Sequence, residues 1–127
     1  MITKKYSNAF TLIELLVVMA IIATLLTLVV PRYFKTVDRS QEKVLHTNLV
    51  TMRDSIDKYY GDHGRYPASL ETLVADKYIR EIPADPITES TETWIVSPSK
   101  EINSSGVYDV HSGASGVGLN NKPYSEW

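Results

Sequence analysis

Glu14 lies four residues after Phe10, near the start of an apolar run that extends from Phe10 to Val30. A run of that length can span a bilayer as a helix. A carboxylate inside such a segment costs about 2.5–3.5 kcal/mol on insertion scales, so its default reading is functional. The residues in front suggest the chemistry. Residues 1–9 carry Lys4 and Lys5 and no acidic side chain. A cut between Ala9 and Phe10 would place a positive α-amino group at the top of the same apolar helix. The Glu14 of a neighbouring copy would then meet a partner of opposite charge.

No other set of residues converges on a reaction. His46, His63 and His111 lack metal-ligand spacing, and neither a Gly-x-Ser-x-Gly elbow nor a phosphate loop is present. Gly113-Ala114-Ser115-Gly116 has no helix expected behind it, which argues against phosphate binding. The chain has no cysteine, which excludes disulfides, thiolate-zinc sites and thiol catalysis. It has 13 basic and 15 acidic residues; removing Lys4 and Lys5 with a leader leaves 11 against 15, a side-chain charge of −4. That balance gives no electrostatic reason to expect nucleic-acid binding. We therefore expect no enzyme.

The positioning elements follow from periodicity. The apolar span is expected to continue as an amphipathic helix to about Tyr60. Leu45, Leu49, Met52, Ile56 and Tyr59 recur at steps of four and three, which sets one core-facing stripe. Pro31 removes one backbone donor and is expected to kink or break the helix between its two halves. Gly61-Asp62-His63-Gly64 should end it. Ser69 is a candidate N-cap for a short helix ending near Asp76. Trp94–Val96 and Val107–Val110 read as strands, with a turn from Asn103 to Gly106 between them. The Gly-, Ser- and Asn-rich tail ends in Tyr124 and Trp127, aromatics that suggest docking back onto the core.

The leader, Phe10-Thr11-Leu12-Ile13-Glu14, the apolar run and Pro31 together resemble the signal of type IV pilins and type II secretion pseudopilins. In that family a prepilin peptidase cuts just before the Phe and methylates the new amino terminus. The residue before the cut is normally Gly, where this chain has Ala9, also small. Gly64-Arg65-Tyr66-Pro67 and the segment Val107 to Ala114 resemble G-type pseudopilins, as does the lack of a disulfide. The resemblance implies an α+β fold: a long N-terminal helix, its first half transmembrane, packed on a small antiparallel sheet. It divides the chain into a leader (1–9), a membrane or filament-core helix (10–31) and a periplasmic globular domain (32–127). The amphipathic half of the helix, about 32–60, belongs to that domain.

The implied function is structural. The chain would be a subunit of a type II secretion pseudopilus, a homopolymer with other pseudopilins, anchored in the bacterial inner membrane before it enters a periplasmic fibre. Its further partners would be the prepilin peptidase and an inner-membrane assembly platform driven by a cytoplasmic ATPase. The close alternative is a type IV pilus subunit, major or minor, serving adhesion, motility or DNA uptake. The distant one is a membrane-anchored periplasmic binding module that never polymerises. G-type pseudopilins hold calcium in their C-terminal loop, and Asp109, Ser112 and Ser115 are the matching candidates here. Calcium takes six to eight oxygens with several carboxylates among them, and Ser115 stands where the family usually has aspartate. We therefore expect no cofactor and a loop held by hydrogen bonds, Tyr124 and Trp127, with calcium as the alternative.

Overall fold

The computed structural model describes residues 3, 8–101 and 105–127. Lys4 and Lys5 of the expected leader and Asn103 of the expected turn lie outside the described residues. The elements, in order, are helix α1 (Leu12–His63), helix α2 (Leu70–Ala75), strand β1 (Trp94–Pro98), strand β2 (Val107–Ser112) and a 3-10 turn (Tyr124–Glu126). Contacts divide the chain into two compact units, one ending at Val37 and one from Asp38 to Trp127.

In the first unit, α1 is long and apolar enough to cross a membrane, and none of its most apolar stretch is buried by the protein. Lipid offers no hydrogen bonds, so polar groups in such a stretch must be satisfied internally. The hydroxyls of Thr24 and Thr27 donate to the carbonyls of Ala20 and Ala23, each at 2.8 Å. Pro31 lies inside the continuous helix. It withholds one N–H from the ladder, yet its fixed φ suits a helix, and the chain does not break there. Of the kink or break expected at Pro31, the break does not occur.

In the second unit the stripe of Leu45, Leu49, Met52, Ile56 and Tyr59 is buried, as its spacing predicts. It forms one core with Leu70, Leu73, Ile79, Trp94, Val107 and Val110. Strands β1 and β2 pair antiparallel, with Trp94 opposite Ser112 and Val96 opposite Val110, and the register shifts between Ser97 and Pro98. This is the α+β arrangement the sequence implies, with a sheet of two strands. The Trp94 indole N–H reaches the carbonyl of Pro83 at 2.7 Å, which ties the loop that carries Pro83 and Pro86 to the sheet.

Two helix ends differ from expectation. Helix α1 continues past Tyr60 to His63, and the left-handed residue that ends it is Gly64, at φ 68°. The His63 ring stacks on Tyr59 with centroids 4.1 Å apart, which holds the extra turn. Ser69 takes the N-cap position of α2 with extended backbone, but its side chain makes no capping bond. Its hydroxyl instead lies 3.3 Å from that of Thr72. Beside these helix ends, Gly106 (φ 123°) permits a close approach: a Cβ there would lie 2.8 Å from the carbonyl oxygens of both Tyr66 and Pro67. The Val107 N–H donates to Pro67 O at 2.7 Å, so the Gly-Arg-Tyr-Pro segment abuts the start of β2.

Asp85 is fully buried. Its carboxylate accepts the N–H of Ile87 at 2.8 Å and the hydroxyl of Ser112 at the end of β2. Ser112 Oγ in turn accepts the N–H of Ala114 at 3.1 Å. Replacing Asp85 by Ala strands these buried donors, each at about 1–3 kcal/mol. Asp85→Ala is expected to destabilise the domain by about 2–4 kcal/mol in urea unfolding with an unchanged m-value.

Candidate functional site

Ala9 and Phe10 precede α1 in non-helical backbone, and Phe10 is 92% exposed. Glu14 sits in the first helical turn. Between them stands Thr11, whose hydroxyl accepts the N–H of Glu14 at 3.2 Å while the Glu14 carboxylate accepts the N–H of Thr11 at 3.1 Å. This reciprocal pair is a capping box, which satisfies two of the donors that a helix start leaves open. It also places the carboxylate at the positive end of the helix dipole. The sequence reading missed Thr11, although Thr-x-x-Glu ahead of an apolar run is the signal for such a box.

The capping box has two consequences. It gives Glu14 backbone compensation inside its own chain, and it fixes the carboxylate within one turn of Phe10. Thr11→Ala removes the acceptor for the Glu14 amide, whereas Thr11→Ser retains it. A lost N-cap costs about 1 kcal/mol. In detergent micelles, hydrogen exchange at the Glu14 amide should accelerate about fivefold in Thr11→Ala and stay near wild type in Thr11→Ser.

At the C-terminal end, the structure does not bring Asp109, Ser112 and Ser115 together as a cation site. Asp109 Oδ1 receives Arg53 Nε at 2.9 Å, and its Oδ2 lies 3.3 Å from His111 Nε2. The Ser112 hydroxyl is committed to Asp85. Ser115 is exposed. Among the described residues, no group of three or more His, Asp or Glu side chains is placed to hold a metal ion. The donor set therefore does not fit calcium, because the one candidate carboxylate already faces a guanidinium.

Hydrogen bonds and aromatic packing hold the tail instead. Arg53 Nη2 donates to the carbonyls of Val110 at 2.9 Å and Trp127 at 2.5 Å. The rings of Tyr124 and Trp127 lie 5.3 Å apart and pack against the core, as their place in the sequence suggests. Glu42, on α1, accepts the Leu119 N–H at 2.7 Å and the Tyr124 hydroxyl at 3.0 Å through one oxygen. Burial, then the bond to Glu42, pushes the Tyr124 phenol up to about 12. The sequence reading missed Glu42, although it stands three residues before Leu45, on the stripe that the spacing buries.

Residues 4–30 match the model of the prokaryotic N-terminal methylation motif. Among curated proteins, the type II secretion system core protein G of Klebsiella pneumoniae is 29% identical across 94% of each chain. Its Escherichia coli K12 counterpart is 29% identical over 81% of this chain and 78% of its own. The fimbrial protein EcpC of Eikenella corrodens is 32% identical over 62% of this chain and 55% of its own. No solved structure matches significantly. The methylation motif, the apolar span behind it and the length of the likeness to core protein G make the chain similar to type IV pilin-like proteins of the pseudopilin kind.

Proposed function

We propose that the chain is a structural subunit of a type II secretion pseudopilus, held in the inner membrane by α1 with residues 32–127 in the periplasm. A prepilin peptidase cuts between Ala9 and Phe10 and methylates the Phe10 amine. Copies then leave the bilayer and stack with one another and with other pseudopilins into a periplasmic fibre. An inner-membrane platform and a cytoplasmic ATPase supply the work, and growth of the fibre moves folded cargo outward. The chain is no enzyme on this reading. The observation that carries it is the likeness to core protein G across 94% of both chains, with the methylation motif at its head.

The exposed apolar face of α1 supports polymerisation. Residues from Leu12 to Val30 present large side chains with no protein cover, and either lipid or the helices of other copies can bury them. Inside a fibre a lone Glu14 would be costly, and pairing with the Phe10 amine of an adjacent copy offsets that cost. The likeness to EcpC favours a second reading, a type IV pilus subunit.

Deleting the gene and quantifying the culture supernatant by mass spectrometry separates the two, with a complemented strain as control. The expected result is selective loss of exported proteins, which accumulate in the periplasm and return to the medium on complementation. An unchanged exported set would contradict the secretion reading and favour the pilus.

A further inference from the structure

The C-terminal loop closes around a carboxylate from α1. Glu42 is 9% exposed, so a charged group is held largely out of water. Its Oε1 lies 2.7 Å from the Leu119 nitrogen and 3.0 Å from the Tyr124 hydroxyl, two donors from different parts of the loop. The backbone is shaped to leave the first donor free. Gly118 donates to Lys122 O at 2.9 Å, and Asn121 donates to Gly118 O at 3.0 Å, so the turn points the next N–H, that of Leu119, toward the helix. The fit is tight, since a Cβ on Gly118 would come within 2.5 Å of the Trp127 ring and 3.1 Å of Glu42 Oε1. The two converging donors occupy the lone pairs of Oε1 that a cation would need. Asp109, on β2, is closed to a cation in a different way, by Arg53.

We propose that Glu42 is the organising charge of the C-terminal loop and takes over the role that a divalent cation has in G-type pseudopilins, so that the loop folds independently of calcium. A cation gathers acceptors around a positive centre. Glu42 gathers donors around a negative one, and the loop has turned an N–H and a phenol inward to match. A hydrogen bond to a charged group is about twice as strong as a neutral one, so one buried carboxylate can hold two separated segments of the loop.

The test is hydrogen exchange at the Leu119 amide in the full chain in detergent, with added calcium and with a chelator. Wild type should exchange at the same rate in both. Glu42→Ala should exchange about tenfold faster or more at Leu119, without rescue by calcium and with protection at the paired strand residue Val110 retained. Glu42→Gln, which keeps an oxygen and loses the charge, should fall between them. Should Glu42→Ala fail to fold, Tyr124→Phe removes only one donor and should still accelerate Leu119 about threefold. Slower exchange of wild type in calcium would overturn the proposal. So would a Glu42→Gln rate equal to wild type, or an unchanged Leu119 rate in a folded Glu42→Ala or in Tyr124→Phe.

Discussion

A carboxylate at the start of a membrane-length apolar helix must be compensated wherever that helix goes. Glu14 meets part of this constraint without any second copy. Within its own chain the carboxylate accepts the N–H of Thr11 at 3.1 Å and sits at the positive end of the helix dipole. That arrangement lowers the cost of the charge without neutralising it. A complete pairing needs a cation, and cleavage before Phe10 would create one at the same end of the helix. On the proposed pairing, the remaining asymmetry would give an apolar segment a reason to prefer copies of itself over lipid. Lipid matches its Leu, Ile and Val side chains as well as a neighbouring helix does.

The globular unit relies on the same helix in another way. Its buried stripe supplies the apolar core, while Glu42, Arg53 and Asn48 reach from α1 to the loops. Asn48 holds the Ala84 carbonyl at 3.1 Å, Arg53 gathers Asp109 and two carbonyls, and Glu42 gathers two donors. With a sheet of only two strands, little of the fold can be fixed by ladder pairing. The loops are instead fixed by polar side chains that each serve several partners. No buried polar side-chain atom among the described residues lacks a partner.

Features set by local periodicity and composition were legible in the sequence. The stripe from Leu45 to Tyr59, the two strands and the inward aromatics of the tail are of this kind. The helix end was legible to within a turn, because Gly61 is tolerated in a helix when the stacking of His63 on Tyr59 repays its flexibility. At Pro31 the sequence left a kink and a break open, and proline weakens a helix without having to end it. Ser69 was legible as the N-cap position of α2, but not the Thr72 hydroxyl that engages its side chain. Glu42 falls on the buried stripe by its spacing, but its partner Leu119 lies 77 residues away, and Asp85 meets Ser112 at 27 residues, so neither long-range contact was legible. Asp109 was legible as a candidate, but not Arg53, 56 positions earlier, which occupies one of its oxygens.

The central claim is that Glu14 serves contacts between copies and not insertion. In-cell formaldehyde cross-linking of wild type and Glu14→Leu, with the membrane-bound amount of each chain matched, tests it most directly. The account predicts a ladder of multimers for wild type and its loss in Glu14→Leu, whose apolar side chain leaves insertion intact. An undiminished ladder from Glu14→Leu would contradict it.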